Sequence, residues 1–173
     1  MSLSMYQASV PVLIRMMENL SAILDKAAAY AETKKIQPAV LINARLAPDM
    51  RPLSFQVQTA SDMAKACAAR LAGLDVPSFP DTETTFPELK ERLAKTIAFL
   101  RTVTPAQIDG SEERNIVLKM GGREAQFTGQ AYLLTFVLPN FYFHVTTAYA
   151  LLRHNGVELG KQDYIGSLKM QPL

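Results

Sequence analysis

Apolar residues recur at alternating spacings of three and four along most of this chain, and that recurrence marks out its helices. Starting at Tyr6, the residues Val10, Leu13, Met17, Leu20, Leu24, Ala27 and Ala31 form one stripe, the seam of an amphipathic helix packed in a bundle. Pro11 is tolerable only near a helix start, so this helix begins either near Ser9 or near Ser4 with a bend. Pro38 to Leu46 reads as a short extra helical turn. Pro52 then opens a second long helix, whose seam of Leu53, Val57, Ala60, Ala64, Cys67 and Leu71 ends near Gly73. Its small residues let a neighbouring helix approach closely and place Cys67 on the packed side. Asp75 to Thr84, with Pro77 and Pro80, reads as a loop. Thr85 and Glu88 make a capping box for a third helix, striped by Phe86, Leu89, Leu93, Ile97 and Leu100 and stopped by Pro105.

Between Asn115 and Thr128 the period changes to two. Ile116, Leu118 and Met120 alternate with Val117 and Lys119, and Gly121-Gly122 supplies a two-residue turn before Arg123 to Phe127, which predicts a short β-hairpin. A lone hairpin is marginal in water, so it must rest its apolar side on the bundle. Thr128 caps an incoming helix that runs through Tyr132, Leu133, Leu134 and Phe136 to a break or kink at Pro139. Pro139 to Gly156 then reads as one long helix, opened by proline and closed by glycine. The tail from Gly160 to Gly166 reads as an ordered extension. The fold class is therefore mainly all-α: a four-helix bundle with a short β-hairpin inserted before the last long helix.

Composition narrows the picture modestly. A chain of 173 residues that is 49% hydrophobic fits one domain spanning residues 1–173. The net charge of +2 carries no electrostatic footprint for nucleic acid, and no apolar run is long enough for a membrane span, so a cytoplasmic protein is expected. The lone Cys67 excludes an intramolecular disulfide and a cysteine-rich zinc site. Free cysteine is more often a small buried hydrophobe than a nucleophile, and Cys67 is read that way.

Phosphate-cradling glycine loops, nucleophile elbows, paired cysteines and a His-Glu-x-x-His motif are all missing. Both histidines fall in the last helix. At about 100° per residue, Asn140 and His144 lie one above the other on a line shared with Val137, Ala148 and Leu151. Arg153 falls about 180° and His154 about 80° from His144, so neither shares its face. A histidine on an apolar helix face is more often a hydrogen-bonded core residue than a ligand.

The order of three helices, a short insert and a long helix with a buried histidine resembles the DinB/YfiT-like superfamily of four-helix bundles. A more local resemblance is to a domain-of-unknown-function branch of that superfamily. It is carried by Pro139-Asn140-Phe141-Tyr142-Phe143-His144, by Ala148-Tyr149-Ala150-Leu151-Leu152-Arg153-His154-Asn155-Gly156, by Arg70-Leu71-Ala72-Gly73 and by Gly160-Lys161-Gln162-Asp163. In the superfamily's metal-binding members, three histidines hold a divalent metal, commonly nickel or zinc: one on helix two and two at i and i+4 on helix four. His144 matches the last of these. Asn140 occupies the preceding position, and the helix-two counterpart falls among Gln56, Gln58 and Thr59, with Asp62 a turn later. Gln56 lies beside the apolar seam, whereas Gln58 and Asp62 lie nearly opposite it. Amides and hydroxyls replace imidazole poorly at a first-row metal, so the expected pocket is polar and holds no cofactor.

That leaves a bundle without catalytic metal that binds a small molecule or a partner around Gln56, Gln58, Thr59, Asp62, Asn140 and His144, as a homodimer through its helical faces. The aromatic side chains Phe141, Tyr142, Phe143 and Tyr149 could wall such a site. The resemblance implies one alternative, a metal-dependent enzyme of thiol-transferase or hydrolase type. There His144 would be the surviving ligand to nickel or zinc, completed by Asp62, Asn140 or a residue of a second subunit. A structural or stress-related interaction protein is the other. Neither nucleic acid nor membrane is among the expected partners.

Overall fold

The computed structural model describes residues 3–168. Four long helices pack around a continuous apolar core: α1 (Met5–Thr33), α3 (Leu53–Ala72), α4 (Phe86–Thr102) and α7 (Leu138–His154). α4 packs on both α1 and α3, and α7 packs along α3 and touches α1, which closes the bundle. Shorter helices decorate it: α2 (Pro38–Ile42), α5 (Pro105–Ile108), α6 (Gly129–Ala131) and α8 (Lys161–Ile165). Strands β1 (Ile116–Met120) and β2 (Arg123–Phe127) form the antiparallel hairpin expected from the period-two segment, with Ile116 opposite Phe127. Gly121 and Gly122 both take positive φ, the conformation a tight two-residue hairpin turn requires. Ile116 and Leu118 rest on the bundle while Val117 faces outward.

Of the two starts left open for the first helix, the structure takes Ser4. Its hydroxyl accepts from the Gln7 amide while the Gln7 side chain returns a bond to the Ser4 amide. Pro11 is retained inside α1 because it and Gln7, whose carbonyl loses its helical donor, both lie exposed. The Thr85–Glu88 capping box is present at α4, and Gly73 closes α3 in the left-handed conformation. α4 ends at Thr102, and Pro105 opens α5 instead of acting as a bare stop.

The last helix departs from the sequence expectation. It neither starts nor breaks at Pro139, but runs without interruption from the Thr128 cap through α6, a π-helical segment at Tyr132–Val137, and α7. Within the segment the Leu138 amide bonds the Leu133 carbonyl, five residues back. Leu133, Val137, Phe141 and Val145, all buried, repeat every four residues, and each such step overshoots an α-helical turn by about 40°. A wider turn over the first step removes part of that drift, and all four stay on the core. It also sits where Pro139 has no amide to offer the α ladder. The terminal extension folds as α8 against α1: Asn19 donates to the Tyr164 carbonyl at 3.0 Å, and Lys26 pairs with Asp163 at 2.7 Å.

Candidate functional site

Gln56 lies in the first turns of α3, on the side turned to α7, and His144 lies midway along α7. The structure joins them: His144 Nδ1 and Gln56 Oε1 are 2.7 Å apart. The direction of that bond follows from a third group. Gln56 Nε2 donates to the Arg51 carbonyl at 3.0 Å, and a carbonyl only accepts, so the amide of Gln56 must face Arg51 with its NH2 and His144 with its oxygen. Nδ1 therefore carries the proton. Nε2 of the neutral ring then holds a lone pair.

Burial alone, with no acid beside the ring to oppose it, pushes the His144 pKa below the ordinary histidine value. The imidazole is neutral at pH 7. Two aromatic rings stand edge-on to it, Phe55 with centroids 6.1 Å away and Phe143 at 5.3 Å. Nε2 has no protein partner among the described residues, and it is not among the side-chain atoms sealed from solvent without a bond. Chemically, the site offers one oriented, neutral, solvent-reachable nitrogen that accepts a hydrogen bond or a proton.

The other residues expected in this pocket are elsewhere or otherwise engaged. Asn140 is on the same helix, one turn before His144, but its side-chain amide donates to the Phe136 carbonyl at 2.6 Å beside the π-helical segment. Thr59, one turn beyond Phe55 on α3, is half-buried and takes no part in the side-chain hydrogen bonds of the described residues. Gln58 and Asp62 face α4 and the loop before it, about 200° around α3 from Gln56 in the case of Gln58. There Gln58 donates to Glu83 at 2.9 Å, and Asp62 accepts from Arg92 at 2.7 Å and Lys65 at 2.5 Å.

That second cluster was not foreseen. Arg92, whose side chain is 1% exposed, donates to Ser61, the Pro80 carbonyl, Glu83 and Asp62, and pairs with Asp81 at 2.9 Å. It thereby ties the loop of residues 75–84 onto α3 and α4. Burial acts to raise the Glu83 pKa, but hydrogen bonds from Gln58, from its own backbone and from Arg92 outweigh it and hold Glu83 below the usual range. The signal was an arginine at 92 in an otherwise apolar row, between Leu89 and Leu93 and before Thr96, opposite a loop carrying Asp81 and Glu83.

A three-nitrogen metal site does not fit these residues. Gln56 is engaged by its oxygen to His144 and by its nitrogen to Arg51, Asn140 is turned to the backbone, and His154 is exposed at the helix end. Among the described residues, no three His, Cys, Asp or Glu side chains are grouped to hold an ion. Cys67 is fully buried and burial pushes its thiol up to about 12, with Arg70 opposing, so it is inert as a nucleophile at neutral pH.

Fold and site together define a four-helix bundle with an inserted hairpin and one neutral histidine on the last long helix, joined to Gln56. The family profile described as a domain of unknown function (DUF1993) matches residues 5–165, and the chain belongs to that family. Among solved structures it is similar to a DinB family member protein from Shewanella denitrificans, at 40% identity over 97% of this chain and 95% of that one, with a TM-score of 0.88. This is a DinB-like domain. No curated protein matches the chain. Among the described residues no helix is long and apolar enough to cross a membrane.

Proposed function

We propose that this domain works without a catalytic metal and binds a small molecule through His144, with Nε2 accepting a hydrogen bond from the ligand. The observation that carries this reading is the chain of bonds from the Arg51 carbonyl through Gln56 to His144 Nδ1, which leaves the outer nitrogen as a fixed acceptor. Thr59 and Asn140 lie within a turn of the pair, Asn140 with its side chain turned to the Phe136 carbonyl. Gln58 and Asp62 are assigned instead to the Arg92 cluster.

The test combines metal loading with ligand detection on untagged protein, since a polyhistidine tag would itself bind metal. After incubation with nickel, zinc or manganese and desalting, metal well below one ion per chain is expected, with no difference between wild type and His144→Ala. Small molecules that carry an N–H, O–H or S–H donor are expected to move the His144 Nε2 resonance. Near-stoichiometric metal that is lost in His144→Ala would overturn the proposal and put the metal-dependent enzyme in its place.

A further inference from the structure

We infer that the ligand of His144 is a small aromatic anion that also carries a proton donor, its anionic group held by Arg51 and its donor by His144. The inference rests on the reading of His144 as an acceptor and adds the chemical class of its ligand.

Arg51 is bound into the same network twice over. Its carbonyl accepts from Gln56, and its guanidinium lies over the Phe55 ring, with Cζ 5.1 Å from the centroid. Phe55 in turn meets His144 edge-on. The guanidinium and the imidazole are therefore both neighbours of one aromatic ring. A cation–π contact uses none of the guanidinium's N–H groups in an ion pair, and its planar fork matches a carboxylate. Arg51 is exposed and forms no ion pair among the described residues, whereas Arg92 and Arg101 both do. Arg45, in the same loop, differs in donating to the Met50 carbonyl.

An apolar groove of about 350 Å³, lined by Leu46, Tyr142, Phe143, Thr146, Thr147 and Ala150, meets the site through Phe143. Phe143, which forms part of that wall, is also the second ring against His144, and it is 55% exposed. A space of this size is at the small end of ligand pockets and suits a body of one or two rings. A cation without an ion pair, a neutral acceptor against the same ring and an apolar groove reached through Phe143 point to an aromatic acid with a hydroxyl, thiol or amine proton.

Three matched probes separate the parts: 4-hydroxybenzoate, which has both groups, its methyl ester, which keeps the donor without the charge, and benzoate, which keeps the charge without the donor. Each is titrated into the full untagged chain, following the His144 ring nitrogens by NMR. The acid is expected to bind at least tenfold more tightly than the ester, and Arg51→Gln to reduce it to the level of the ester while Arg51→Lys keeps part of the difference. Both hydroxylated probes should shift Nε2, and benzoate should not. If acid and ester bind equally and Arg51→Gln changes neither, the role of Arg51 is overturned while the acceptor role of His144 stands. If none of the probes moves His144, both fall.

Discussion

At the scale of single residues, His144 is governed by two neighbours that do different things. Gln56 selects the tautomer, and burial beside Phe55 and Phe143 keeps the ring uncharged. The second effect links to stability. The folded pKa lies below the ordinary 6.5, so as pH falls the unfolded chain takes up the proton first. The contribution of neutral His144 is thus fully present above pH 6.5 and is lost as pH falls through the folded value. Urea midpoints measured at pH 7.5 and pH 5 are expected to drop in wild type, and to drop less in His144→Gln. Parallel behaviour of the two proteins would show that the ring titrates alike in both states. Gln56→Leu leaves the Nδ1 proton without its acceptor and is expected to cost about 1 kcal/mol, read from the same midpoints at pH 7.5. The pairing of Gln56 with His144 was legible in part: the resemblance implies Gln56, Gln58 or Thr59 as the counterpart, and the helical wheel favours Gln56 because it lies beside the seam. The use of Asn140 was not, because a side-chain bond to a carbonyl four residues back depends on a backbone ladder that the wheel takes to be regular.

At the scale of elements, caps and turns were legible where a local motif fixes the backbone. Thr85 and Thr128 cap helices, and Gly121-Gly122 turns the hairpin, each through groups within three residues of one another, while the sequence leaves Ser4 and Ser9 both open as the first start. Pro139 taken by itself suggests a break in the helix from Gly129 to His154, whereas the structure keeps it continuous and places a π-helical turn just before the proline. The four-residue spacing of Leu133, Val137, Phe141 and Val145 is consistent with a wider turn before the proline, which narrows the drift of that stripe. Gly129 shows how tightly this entry is seated. A Cβ there would lie 2.0 Å from the backbone oxygen of Ser111, which cannot move without shifting the segment before the hairpin. Gly129→Ala is expected to destabilise the domain by about 2 kcal/mol or more, despite alanine's better helix propensity, as checked by denaturant unfolding. A stabilised variant would contradict the close approach.

At the scale of the whole molecule, the bundle and its hairpin insert were legible from periodicity, and the family resemblance agreed with it. The electrostatic tie between the loop of residues 75–84 and the bundle was not, because it joins residues far apart in sequence that only packing brings together. Removing the buried guanidinium leaves Asp62, Asp81 and Glu83 facing one another with Lys65 as the nearest cation, so Arg92→Ala is expected to cost about 3–5 kcal/mol. Limited proteolysis should then cut within residues 75–84 at protease levels that leave the wild-type loop intact. Glu83 adds an acid limit. Because its folded pKa is depressed, its contribution is present above the ordinary 4.5 and is lost as pH falls through the folded value. Glu83→Gln should therefore be less stable than wild type at pH 7, and the gap should narrow below pH 4.5.

The central claim is that His144 presents a neutral, unprotonated Nε2 outward because Gln56 holds the proton on Nδ1. Long-range proton–nitrogen NMR of the imidazole at pH 7, on untagged protein with and without Gln56→Leu, tests it most directly. The expected result is a single Nδ1–H tautomer in wild type that gives way to a mixture in the variant. A wild-type ring protonated on Nε2, or one whose tautomer ignores Gln56, would contradict the account and remove the acceptor on which the proposed ligand site depends.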